Sequence, residues 1–238
     1  RADVILSDER TMQKTLEAYP DVRLQRRFAR FTPLGVYLAR DFLVQHPGFL
    51  EDMNHHIGSC VSSTAELTPE ERKQLKETVE KRARQWLTEP QLTSALREPR
   101  HFTEDQLATL DRDWEGVNGM PSVAHQGLLA NPASARLAEL QRDTAPLFSE
   151  ILLSDSNGVL IAASQATSDF YQGDEMHFSA AIDLPEGKSR IGAIEYDTST
   201  QAFQVKVSMP VFLTGQDKAA GVLTFGVDIA TAFAEQFR

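Results

Sequence analysis

Ile151-Leu-Leu-Ser-Asp-Ser-Asn-Gly-Val-Leu-Ile-Ala-Ala-Ser164 is where this chain first reads as a sheet. Two short apolar runs, Phe148 to Leu153 and Val159 to Ala163, flank Asp155-Ser-Asn-Gly158, polar residues that end on a glycine and suit a tight hairpin turn. Further along, Phe203, Val205 and Val207 alternate with Gln204, Lys206 and Ser208, the period of a strand buried on one face. Ala219 to Val227 reads as a last strand after the turn Gly215-Gln-Asp-Lys218, and Asp228 is placed to cap a short closing helix.

Before the hairpin the period is helical. From Leu24 to His56 the residues Phe28, Phe31, Leu34, Leu38, Phe42 and Phe49 fall mostly three or four apart, which predicts a long N-terminal helix. Pro33 should kink it and Pro47-Gly48 should end it, because a proline deletes a backbone donor and crowds the preceding turn. Thr68-Pro-Glu-Glu71 is a capping box that opens a helix to about Leu87, and Thr103-Glu-Asp-Gln106 repeats the logic ahead of Leu107, Leu110 and Trp114. Asn131-Pro132 starts another helix before Leu137 and Leu140, while Gly116 to Pro132 reads as a surface loop. The expectation is an α+β chain: a helical lead-in and helical region over residues 1–143, then an antiparallel sheet flanked by helices over 144–238.

Composition narrows the function. The 238 residues carry 24 Lys plus Arg against 34 Asp plus Glu, a formal charge of −10 that repels nucleic-acid phosphates and anionic headgroups. A single cysteine, Cys60, allows no internal disulfide. No run of 18 apolar residues occurs, and the chain begins at Arg1, so it is read as an excised ectodomain with membrane contact only through flanking segments outside it. No Gly-x-Ser-x-Gly setting or glycine-rich phosphate loop is present, so an enzyme, such as a small hydrolase, is the weaker class and no cofactor is expected.

Binding chemistry concentrates in Asp169-Phe-Tyr-Gln-Gly-Asp-Glu-Met-His-Phe-Ser-Ala-Ala181, which gathers aromatic, acidic and imidazole groups after the hairpin. Tyr171, His177 and Tyr196 either line a pocket or close the core with their polar tips hydrogen-bonded. Asp169 either touches ligand or holds its own loop by accepting backbone N–H groups, and the second reading is favoured. Asp169, Asp174 and Glu175 collect oxygen ligands in one loop without EF-hand spacing, so no metal is expected there. The adjacent His55 and His56 point about 100° apart on a helix and do not chelate together.

In order and spacing, Ile151 to Ser164, Thr167 to Glu175, Ser208-Met-Pro-Val211 and Gly221-Val-Leu-Thr-Phe-Gly-Val-Asp-Ile229 resemble the Cache sensor domains of bacteria, also called PDC domains. The likeness covers about residues 145 to 233. It implies a PAS-like sheet on the periplasmic or extracellular face of the inner membrane that binds a small molecule and signals through its C-terminus. Receptors of this type, chemoreceptors and sensor kinases among them, commonly dimerise along their lead-in helices, which implies a homodimer through the N-terminal helix.

One amino-acid-binding subgroup spaces Asp, five residues, Arg, one residue, Trp-Tyr, two residues and Ala. The matching positions here are Asp169, Glu175, His177, Phe178 and Ala181, so the arginine that would grip a carboxylate is Glu175 and the tryptophan is His177. Tyr196 and Asp197 correspond to a further tyrosine and acid, and Asp228 to the acid of the last strand. A ligand carboxylate would meet Glu175 with like charge. The resemblance with these departures implies an amine or other cation, held by Glu175, Asp197 and Asp228 and by the ring faces of Tyr171, Phe178 and Tyr196. The competing reading is a non-sensing interaction or dimerisation module whose sheet is filled by its own side chains.

Overall fold

The computed structural model describes residues 66–114, 122–197 and 202–233, together with Phe42 and His46. The long N-terminal helix, its proline kink and the dimer expected through it otherwise lie outside the described residues.

Helix α1 (Pro69–Trp86) opens on the capping box read from sequence: Thr68 Oγ1 accepts from the Glu71 amide at 3.2 Å, and Glu71 returns a carboxylate to the Thr68 amide at 2.8 Å. Its buried residues Leu75, Val79, Ala83 and Trp86 form one helical stripe. A short α2 (Pro90–Ala95) follows, then α3 (Glu104–Arg112), capped reciprocally by Thr103 and Gln106. Helix α4 (Val123–Leu129) lies inside the stretch expected to be loop. Ser122 caps it, and Leu128 and His125 anchor it by burial, tertiary contacts that outweigh a glycine in the middle of the helix. Helix α5 (Pro132–Thr144) starts at Asn131, whose side chain caps it while donating to the Ile161 carbonyl at 2.9 Å.

The sheet comprises β1 (Phe148–Asp155), β2 (Leu160–Ala163), β3 (Arg190–Asp197), β4 (Ala202–Phe212) and β5 (Ala219–Asp228), in the order β2-β1-β5-β4-β3 with every pair antiparallel. The β1–β2 turn forms as read. Gly158 takes φ +81°, and Asp155 Oδ1 accepts from the Asn157 and Val159 amides. A four-residue α6 (Met176–Ser179) precedes β3, and α7 (Ile229–Ala232) closes the described chain.

Alternation along the strands divides the sheet into two faces. Val205, Val207, Met209 and Val211 of β4 and Leu223, Phe225 and Val227 of β5 join Leu75, Val79, Trp86, Leu92 and Leu137 of the helices in one apolar cluster. Trp86 stacks its edge on Phe148 at 5.7 Å and lies 5.8 Å from Phe225. Each such side chain contributes roughly 1.5–3 kcal/mol by leaving water. Arg136 of α5 grips Glu89, at the start of α2, through two bonds of 2.7 and 2.9 Å, so the helices on this face are also tied to one another.

The opposite face is covered in two places. Over β1 and β2, Leu152 and Leu160 pack with Trp114, Leu128 and Phe170. Over β5, Val222 packs with Phe178 and Ala181 beside α6. Between these covers lies a strip of the sheet that is polar and still buried.

Candidate functional site

Strand alternation places Gln204, Lys206 and Ser208 of β4 and Thr224 and Gly226 of β5 on this second face, with Glu150 of β1 beside them. Gln204, Ser208, Thr224 and Glu150 are each no more than 5% exposed, a polar floor where one-sided alternation predicts solvent. The floor is satisfied internally: Ser208 and Thr224 share a hydrogen bond of 2.9 Å across the strands. Gln204 Nε2 donates to Glu150 at 3.1 Å and to Asp197 at 2.5 Å, and Gln204 Oε1 accepts from the Ser149 hydroxyl.

Gly226 is required beneath this cluster. A Cβ there would stand 2.5 Å from Gln204 Oε1 and 2.7 Å from both Glu150 Cγ and Ser149 Oγ. Burial pushes the Glu150 carboxyl above its ordinary range. Lys206 pulls it back down, Asp197 adds to the rise, and the Gln204 hydrogen bond opposes it.

The segment from Thr167 to Ala181 lies against this face. Tyr171 pairs with Val159 in an isolated bridge, and its ring rests where a side chain on Gly173 would be. Asp111 of α3 accepts from the Phe170 and Tyr171 amides at 3.0 Å each, so an acid from another helix holds this loop. The expected role of Asp169 as its own loop's anchor passes to Asp111. The Asp169 carbonyl, rather than its carboxylate, accepts from Thr167 and Gln172. The Asp169 carboxyl meets Asp111 and is pushed up to about 7, by burial first, then by the contact with Asp111 and by its charge, then by Asp174 and Glu175. Asp169, Asp174 and Glu175 can each offer an oxygen within 4.8 Å of the others, a concentration of negative charge at the rim.

Glu175 is exposed, and His177 is 8% exposed with its Nδ1 3.9 Å from the Glu175 carboxylate. That contact is no ion pair at neutral pH, because burial and then the Lys206 charge bring the His177 pKa down to about 3, outweighing a half-exposed acid. His177 is therefore a neutral donor and acceptor facing the sheet. Phe178 is a buried wedge against Val222 and Ala181.

Phe178 sits over Val222, six residues along β5 from Asp228 and so roughly 20 Å away. Asp228 caps α7, accepting from the Thr231 amide at 2.6 Å, and Asp197 lies at the same end of the sheet through Gln204. Tyr196 pairs with Phe203 in the β3–β4 ladder, and its side chain lies outside the described residues. Glu150, Gln204, Lys206, Ser208 and Thr224 escaped the sequence reading, because nothing local shows that the polar half of an alternating strand is covered.

A separate depression of about 380 Å³ lies at the β4–β5 turn, lined by Thr88, Thr93, Arg97, Phe212 and Leu213. It is six residues, roughly 20 Å, along β4 from Lys206 and holds no cluster of titratable groups.

No protein-family model matches the sequence, and no curated protein does. Solved structures do. The Escherichia coli DcuS sensor domain is 14% identical with a TM-score of 0.44, over 70% of this chain and 98% of that one. The Vibrio cholerae histidine kinase DctB sensor domain is 14% identical with a TM-score of 0.37, over 84% and 60%. The sensory domain of the Campylobacter jejuni chemoreceptor Tlp3, solved with isoleucine bound, is 15% identical with a TM-score of 0.37, over 82% and 61%. All three are sensor domains. This chain spans about 60% of the length of the DctB and Tlp3 domains, and at these identities the likeness concerns the fold alone. Among the described residues no helix is long and apolar enough to cross a membrane.

Proposed function

We propose that this chain is the extracytoplasmic ligand-sensing domain of a bacterial signal-transduction receptor rather than an enzyme. It binds a small molecule between the polar face of the sheet and the segment from Thr167 to Ala181. The observation that carries this reading is the buried polar floor of Glu150, Gln204, Ser208 and Thr224, which a filled, purely structural sheet would not need. Asp169, Asp174 and Glu175 at the rim favour a ligand with an ammonium or other cationic group.

Signal would leave through β5, which runs under Phe178 at one end and into α7 at the other. Ligand shifts that output only by binding two arrangements with different affinity.

Calorimetric titration of the protein with a panel of alkylamines and a panel of amino acids tests the ligand class. Heat from amines, weakened in Glu175→Gln, is the expected result. Tight binding of ordinary amino acids with no response to any amine would remove the cationic reading.

A further inference from the structure

Among the residues of β4 and β5, Lys206 is the one cation, and alternation places it on the buried polar strip, between Val205 and Val207, which are fully buried on the other face. Arg190, opposite Ser208 on the neighbouring β3, is exposed. The residues flanking Lys206 across the ladder are small. Gly226 pairs with it on β5, and on the β3 side a Cβ added to Gly192 would reach the Lys206 backbone and its Cβ, at 3.3 to 4.0 Å. Neither glycine has a side chain with which to shield the ammonium.

Among the described residues Lys206 makes no side-chain hydrogen bond and no ion pair, although Glu150 and His177 both lie close enough to feel its charge. Glu150, across Gly226, spends its carboxylate on Gln204, and His177 is neutral. The half-buried ammonium thus lies near the Glu150 carboxyl without bonding to it, and the position of a direct ionic partner stays open.

We propose that Lys206 receives an anionic group of the ligand and so takes over, from the floor of the pocket, the part that Glu175 cannot play at the rim. A ligand held this way carries separated charges: a cationic part toward Asp169, Asp174 and Glu175, and an anion against Lys206. The inference rests on the sheet face being the binding pocket and adds the second half of the ligand's chemistry.

The test compares straight-chain alkylamines with the ω-amino acids of matching length, by calorimetry, on wild-type protein and on Lys206→Met and Lys206→Arg. A charge-assisted hydrogen bond predicts that the best ω-amino acid binds on the order of ten- to a hundred-fold tighter than its parent amine. Lys206→Met should erase that preference and Lys206→Arg should keep most of it. If Lys206→Met fails to fold, reductively methylated wild-type protein, which keeps the lysine charge, gives an independent readout: the Lys206 dimethylammonium NMR signal, assigned by its loss in Lys206→Arg, should shift when the ω-amino acid is added and stay put with the amine. Amine and ω-amino acid binding alike, with Lys206→Met unchanged, would overturn the role of Lys206 and leave the sensing site standing. No binding by any probe would overturn both.

Discussion

Replacing Asp169 by asparagine should stabilise this protein at neutral and alkaline pH. In the folded chain the Asp169 carboxyl is crowded against Asp111, with Asp174 and Glu175 near, and its pKa stands at about 7 against 3.8 for an unperturbed aspartate. A raised carboxyl means that between these values the folded state holds a proton which the unfolded state has released. Stability from this group is therefore fully present below pH ~4 and is lost as pH rises through about 7.

About three units at 1.36 kcal/mol each give ~4 kcal/mol, and screening at a half-buried position brings this to ~2 kcal/mol. An asparagine in its place cannot ionise, and its amide can donate to Asp111, so the variant should gain ~2 kcal/mol near pH 8, or roughly 4–8 °C in melting temperature, shrinking to under ~1 kcal/mol near pH 5. Urea unfolding of both proteins across that range checks it. No gain at pH ~8, or a gain that grows as pH falls, would refute the account of the Asp111–Asp169 contact.

Two further outcomes follow from the same geometry. Gly226→Ala drives a methyl carbon into Gln204, Glu150 and Ser149 and should cost ~1–3 kcal/mol in urea unfolding, and an unchanged midpoint would mean that the cluster is not packed over this glycine. Asp228→Ala removes the cap of α7 and should cost ~0.5–2 kcal/mol in a thermal melt, while Asp228→Ser, which keeps an acceptor, should recover most of it.

What the sequence disclosed was whatever is encoded within a few residues. The capping boxes at Thr68 and Thr103, the Asn131 cap and the Asp155–Gly158 turn are local hydrogen-bond patterns, and each forms where it was read. Helix α4 was hidden because Gly127 and His125 weaken local preference, and burial of Leu128 and of His125, whose ring stacks on Trp114 at 4.2 Å, adds to the Ser122 cap in holding it in place.

The site divides the same way. Glu175, His177 and Phe178 were legible as a segment, whereas Lys206, Gln204 and Ser208 look like the wet side of a strand until the chain folds over them. Asp228 was legible twice, as a cap and as a candidate ligand-binding acid, and its hydrogen bond to Thr231 accounts for the first role.

The cluster over Gly226 also bears on how such a domain can change its specificity. Ser149, Glu150, Gln204 and Asp197 are chained through Gln204 in a space with no slack, so altering Gln204 breaks three hydrogen bonds at once, and mutational routes through this corner favour paired replacements. Lys206 shares no bond with that chain. Its tie to that chain is the charge it exerts on Glu150, so under the proposed role it is the position where a lineage could exchange one ligand for another without first dismantling the hydrogen-bonded core.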